Sequence, residues 1–119
     1  MATANLGPIS RLAAYGTLAP GRSNHHQLAD LTGRWRPGVV RGEIVQVDGG
    51  DSAIYPGLNL DPDGARVEVQ LFESADLPEH WARLDEFEGA AYRRVVTRIE
   101  TAEGDVEACV YVVADARSA

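Results

Sequence analysis

The chain has 119 residues, 45% of them hydrophobic, with 18 acidic against 11 basic side chains and a net charge of −7. That length suits one domain spanning residues 1–119, with a core over about 11–113, and the hydrophobic content excludes a disordered chain. The acidic balance disfavours nucleic acid and anionic membranes as partners, and the absence of lysine removes Schiff-base, pyridoxal-phosphate and P-loop lysine chemistry together.

The first ten residues, Met1 to Ser10, lack the basic and continuous apolar regions of a signal peptide. No stretch reaches the roughly 18 apolar residues of a membrane span, so a cytoplasmic setting is expected. Arg11 to Gly16 is a short apolar run that reads as a buried strand, broken by Thr17-Leu18-Ala19-Pro20-Gly21. Asn24 with Gln27 has the spacing of a capping box and opens a predicted helix to about Leu31, with Gly33 as its stop. Val39 to Val47 reads as a strand. Neither of its two faces is cleanly apolar, which fits a barrel or an edge. Asp48-Gly49-Gly50-Asp51 is a turn. Ala53 to Leu60 is a strand interrupted by Pro56-Gly57, hence an edge or a bulge. Asp61-Pro62-Asp63-Gly64 turns the chain into a strand over Ala65 to Phe72.

A second helix follows, with Asp76 as N-cap, Pro78 in its first turn, Glu79 three residues after the cap, and Gly89 as its end. Tyr92 to Thr101 and Asp105 to Val113 form a hairpin across Ala102-Glu103-Gly104. The order β-α-β-β-β-α-β-β lacks the regular alternation of a doubly wound sheet. The expected class is α+β: a small, mixed, mostly antiparallel sheet that curls into a barrel flanked by helices.

Within the second helix, Leu77, Trp81 and Leu84 centre an apolar stripe. Glu88 falls in the middle of it and Glu86 on the opposite side, at about 100° per residue. A carboxylate aimed into a core is costly as the anion, so its pKa should rise toward neutrality, as a general base near pH 7 requires. The competing reading is a frayed last turn that carries Glu88 outward. Asp85 lies about 60° away on the same helix; a capping role or an ion pair with an arginine accounts for it more simply than a second functional role. Tyr15-Gly16-Thr17-Leu18 is a strand end whose N–H groups can gather around a carboxylate or an oxyanion, or simply an ordinary strand-to-loop transition. Tyr92 and Arg94 share a strand face and line a pocket mouth or cover the sheet.

The remaining polar candidates carry less. His25 and His26 are adjacent, without acidic or thiol partners at ligand spacing, and read as ordinary helix residues. His80 reads as structural. No serine stands in a Gly-x-Ser-x-Gly context. Cys109, the single cysteine, excludes an internal disulfide and a Cys-rich zinc site and reads as an inert packed thiol. Arg34, Arg36 and Arg41 read as a solvated strand face rather than a contact for an acidic leaving group.

Two of these segments together resemble a known family. Tyr15-Gly16-Thr17-Leu18, followed by Gly21 and Asn24-His25, is similar to the first signature of the γ-glutamylcyclotransferase-like (AIG2-like) family. Leu84-Asp85-Glu86-Phe87-Glu88-Gly89, with Tyr92 and Arg94 beyond, is similar to its second. The resemblance covers roughly residues 11–113. Tyr-Gly-Thr-Leu looks closest to the γ-glutamylamine cyclotransferase branch. The resemblance implies a small β-barrel flanked by helices, with Glu88 as catalytic acid/base and Tyr15, Gly16, Thr17 and Leu18 as substrate-binding residues; Tyr92 joins the substrate-binding set by its place on the strand face. It implies a small-molecule γ-glutamyl substrate, release of 5-oxoproline, no metal or organic cofactor, and a monomer or homodimer. A catalytically silent binding domain of the same fold and an acidic interaction protein are the alternatives.

Overall fold

The structure, a computed structural model, describes residues 7–16, 25–48 and 54–114. Among these described residues six strands run in chain order as β1 (Arg11–Ala14), β2 (Arg34–Asp48), β3 (Ile54–Leu60), β4 (Ala65–Glu73), β5 (Tyr92–Thr101) and β6 (Gly104–Val113). The α-helix α1 (Trp81–Glu88) lies between β4 and β5, and short 3-10 segments stand at Pro8–Ser10, His25–Leu28 and Leu77–Glu79.

The strands lie in the order β3-β2-β4-β1-β6-β5, and β5 pairs back onto β2 through Val39 and Glu100. That return closes β2, β4, β1, β6 and β5 into a five-stranded barrel. The fifteen-residue β2 serves two purposes. Its residues 34–42 pair with β4 inside the barrel, and 42–48 run on to pair with β3, which hangs outside as an edge. The pairing is antiparallel throughout except β1 with β6. The mixed, mostly antiparallel barrel expected from sequence is the one observed.

Alternation along the strands divides the apolar side chains into two cores. Ala13, Val40, Leu58, Val69, Leu71, Ile99, Ala108, Val110 and Val112 fill the barrel. Leu12, Ala14, Phe72, Cys109 and Tyr111 point the other way, against Leu28, Leu31, Leu77, Trp81 and Leu84. Strands β1 and β6 are therefore buried on both faces. This is why Leu12 to Ala14 is a continuous apolar run where a half-exposed strand would alternate.

Several boundaries differ from those expected. β2 begins five residues before Val39, because Arg34–Gly38 continues the ladder against Val69–Glu73 of β4. The first helix is a single 3-10 turn at His25–Leu28. Gly33 is needed for a different reason than a helix stop: a Cβ there would collide with the Glu73 carbonyl, where β2 starts beside β4. The second helix is split. Pro78 has no N–H to donate, His80 N–H bonds the Leu77 carbonyl at 2.8 Å, and the α-helical pattern begins at Trp81. Asp76 makes no cap bond. Its Oδ2 accepts the Thr32 N–H at 2.9 Å, and Ser74 Oγ accepts the Asp76 N–H at 3.0 Å.

Pro56 sits on the edge strand with an unbroken register, without a bulge. Gly57 beside it allows β3 to lie against the end of β6. A Cβ there would meet methyls of Val113 and Val47, each at 2.6 Å. Gly57→Ala is expected to cost about 1–3 kcal/mol through overpacking, read as a lower midpoint of chemical denaturation at unchanged slope.

Candidate active site

Helix α1 delivers the carboxylate. Leu77, Trp81 and Leu84 are buried as the stripe requires, and Trp81 Nε1 donates to the Ile9 carbonyl at 2.7 Å. Glu88, the last helical residue, is half-buried, while Glu86 is exposed. The helix stops at Gly89, whose φ of 83° is one that a side chain disfavours.

Three tyrosines, one just after β1 and one each on β5 and β6, lie close enough to this end of α1 to feel the Glu88 charge. Tyr15 directly follows β1 and its hydroxyl donates to the Tyr111 carbonyl at 2.6 Å. Tyr92 opens β5 and its hydroxyl donates to the Pro56 carbonyl at 2.7 Å. Tyr111 on β6 donates to Asp85 Oδ1 at 2.7 Å. Gly16 faces Pro56, where an added Cβ would stand 3.4 Å from Cγ. Tyr15, Gly16, Tyr92 and Glu88, distant in sequence, are thus brought to one end of the barrel. Thr17 and Leu18 lie outside the described residues, as does Asn24.

The electrostatics separate the two carboxylates of α1. Asp85 is gripped side-on by Arg94, Nε to Oδ1 at 2.9 Å and Nη2 to Oδ2 at 3.0 Å. These bonds, with the Tyr111 hydroxyl, outweigh its partial burial and hold it below the usual carboxylate range. Among the described residues nothing donates to Glu88, and burial pushes its pKa up to about 7. Two acids three residues apart are therefore set for different tasks, one held ionised at neutral pH and one able to gain and lose a proton there. Burial raises the Tyr15 and Tyr111 hydroxyls, and proximity to the Glu88 charge adds to it; the Tyr92 hydroxyl is raised for the same reasons. All three stay protonated.

The other residues singled out in the sequence find ordinary employment. Cys109 is buried, and that burial raises its thiol. Arg36 is not solvated: Nη1 is 2.6 Å from Glu103 Oε1 and Nη2 3.3 Å from Glu73 Oε2. Arg11 and Arg34 also bond Glu73, at 3.0 and 3.2 Å, and Arg41 bonds Glu100 at 3.0 Å. Burial pushes Glu73 up, but the bonds from its three arginines outweigh it and leave its carboxyl below the usual range. These pairs lie on the β2–β4 and β2–β5 side of the barrel. Of His25 and His26 the structure describes the backbone turn. Among the described residues no three His, Cys, Asp or Glu gather as metal ligands do, and no helix is long and apolar enough to cross a membrane. Tyr111 is the residue that sequence reasoning missed. Its signal was its place two residues after Cys109 on the outward face of β6.

The family model for gamma-glutamyl cyclotransferase, AIG2-like proteins matches residues 12–119. No curated protein matches the chain. Among solved structures, an AIG2-like protein of Mus musculus superposes with a TM-score of 0.68 at 25% identity, over 88% of this chain and 77% of that one. The protein YkqA of Bacillus subtilis superposes with 0.67 at 24% identity, over 87% of this chain; the chain spans 35% of that protein's length. Allophanate hydrolase of Kluyveromyces lactis contains the same fold, with a TM-score of 0.62 at 14% identity, over 89% of this chain and 17% of that one.

Proposed function

Because the chain belongs to the gamma-glutamyl cyclotransferase, AIG2-like family, we infer that it is an enzyme releasing 5-oxoproline and a free amine or amino acid from a γ-glutamyl amide. The observation that carries this reading is Glu88: a half-buried carboxylate without a donor among the described residues, its pKa pushed up to about 7 by burial, standing beside the Tyr15-Gly16 strand end. A carboxyl so placed can both accept and return a proton at neutral pH.

The chemistry is intramolecular. The α-nitrogen of a γ-glutamyl amide can reach its own γ-carbonyl, closing a five-membered lactam and expelling the amine. Nucleophile and electrophile are already joined, so the site's task is to hold the folded conformer, which supplies a large effective molarity. The α-nitrogen arrives mainly as an ammonium. Two protons leave it, one before and one after the N–C bond forms, and two reach the departing nitrogen, which leaves as an ammonium. Glu88 carries them and ends as the carboxylate it began as. No water is consumed. Backbone N–H groups of Tyr15 to Leu18 are the assigned holders of the γ-glutamyl end, with Tyr92 as the facing wall. A small-molecule substrate, no cofactor and a monomeric or homodimeric state complete the reading. The γ-glutamylamine branch is its finest form, on the Tyr-Gly-Thr-Leu segment.

The test is a panel of γ-glutamyl amines and dipeptides incubated with pure protein and read for 5-oxoproline. Glu86→Gln is expected to leave turnover within about twofold, because its side chain is exposed and points away from Glu88; surface substitutions of this kind rarely matter. A loss there comparable with that of Glu88→Gln would mean that the helix phase is wrong. A second reading, a catalytically silent binding domain, takes its support from the allophanate hydrolase likeness, since one fold serves several chemistries. Ligand binding without product across the whole panel would favour it.

A further inference from the structure

The last turn of α1 carries Glu88 with little apolar packing of its own. After Leu84, both Glu86 and Phe87 are exposed. The helix has eight residues and no side-chain N-cap bond, and two turns are too short to be stable unaided. The Gly89 N–H bonds the Asp85 carbonyl at 3.1 Å, which ties the turn to itself but not to the barrel.

The tie to the barrel is the Asp85 side chain. Its two oxygens take three hydrogen bonds from two strands: Arg94 Nε and Nη2 from β5, at 2.9 and 3.0 Å, and the Tyr111 hydroxyl from β6, at 2.7 Å. Both donors are themselves fixed. The Arg94 guanidinium lies over the Trp81 ring, 4.5 Å from its centroid, and its Nη1 reaches Cys109 Sγ at 3.9 Å. The Tyr111 ring packs edge-on to Trp81 with centroids 6.3 Å apart, and its carbonyl accepts the Tyr15 hydroxyl. One carboxylate thereby joins the helix that bears Glu88 to the strands that bear Tyr92, Tyr111 and, through Tyr111, Tyr15.

Resting on the reading of Glu88 as the acid/base, we propose that Asp85 is the positioning residue of this site: with Arg94 and Tyr111 it fastens the last turn of α1 to β5 and β6, and so sets where the Glu88 carboxylate stands and how dry its surroundings are. Among the described residues, the groups that feel the Glu88 charge are the hydroxyls of Tyr15 just after β1, Tyr92 from β5 and Tyr111 from β6, all protonated, while the charges of Asp85 and Arg94 compensate each other. With the fastening gone, water reaches the last turn and the Glu88 anion is favoured.

The experiment compares carboxyl titrations of Glu88 by carbon NMR, without substrate, in wild type, in Asp85→Ala/Arg94→Gln and in Tyr111→Phe. The double variant removes both charges, so a Coulomb effect of an orphaned Arg94 is absent. Tyr111→Phe removes one bond and no charge. The double variant is expected to lower the Glu88 titration by about a unit or more, and Tyr111→Phe to lower it by less. On the best substrate, kcat should fall roughly tenfold or more, with KM changed by less than about threefold, as misplacement of a reacting group does. A merely structural pair would lower Tm and leave the titration of the folded protein where it was; that result overturns the proposal. If the double variant does not fold, Tyr111→Phe decides, and an unmoved titration there overturns it equally. Wild-type protein that releases no 5-oxoproline would refute the cyclotransferase reading, while the titrations would still report whether Asp85 positions Glu88.

Discussion

Glu88→Gln is expected to lower 5-oxoproline release by at least about a hundredfold while the barrel stays folded, the usual scale for removing a general base. The substitution keeps the size and the half-buried position of the side chain and removes the one property the reaction needs, a lone pair that can take a proton near pH 7. Among the described residues no neighbour substitutes for it. Asp85 is held ionised by Arg94 and Tyr111, and burial keeps the Tyr15 and Tyr111 hydroxyls protonated. A hundredfold loss corresponds to about 2.7 kcal/mol of transition-state stabilisation. Folding of the substrate into its attacking conformer, which the tyrosine-lined end of the barrel is proposed to supply, should survive the substitution and leave a residual rate. The measurement is kcat/KM on the best substrate of the panel, beside the thermal melt of the variant. Turnover equal to wild type would remove Glu88 from the mechanism.

What could be seen in the sequence follows the range of the interactions involved. Helical phase is local, so Leu77, Trp81 and Leu84 could be told from Glu86, and Glu88 could be recognised as a carboxylate out of place. Short apolar or β-branched runs bounded by turn signals made all six strands legible, although the first does not alternate and neither face of Val39 to Val47 is cleanly apolar. The closure of β5 onto β2 through Val39 and Glu100 was not, because it depends on two residues 61 positions apart. The extension of β2 back to Arg34 was hidden for a related reason. Arg34 and Arg36 look solvated in a one-dimensional pattern, and only the fold brings Glu73 and Glu103 to them. Asp76 has every local mark of an N-cap, but Thr32 competes for its carboxylate from another part of the chain. At the site, Glu88, Tyr15, Gly16 and Tyr92 were nameable from residue type and motif. The Asp85–Arg94 pair was anticipated in kind. Tyr111 was not, since its role depends on where β6 runs past α1.

Activity and stability should respond to pH in opposite directions, and Glu88 is the cause of both. As a base it must be ionised, so kcat/KM should fall about tenfold per unit below a limb centred near the Glu88 pKa of about 7. Stability runs the other way. Burial raises the folded-state pKa from an ordinary 4.5 to about 7, so the folded protein holds this proton more tightly than the unfolded chain. The resulting stabilisation is fully present below about pH 4.5 and is lost as pH rises through about 7, a swing of roughly 3 kcal/mol at full size. Glutamine has no such proton to lose. Glu88→Gln should therefore match wild type in stability near pH 4.5 and exceed it by up to roughly 3 kcal/mol at pH 8, read as a Tm gap that opens with pH. Asp85 and Glu73 are shifted down, so their contributions fade as pH falls below the usual carboxylate range. Both proteins share them, and the difference between the two melts isolates Glu88. A Tm gap that stays constant from pH 5 to pH 8 would show that the carboxylate is not desolvated, and the acid limb of activity would then belong to another group. A gap that opens as the rate rises would mean that the burial which makes Glu88 a base at neutral pH is also what destabilises the fold there.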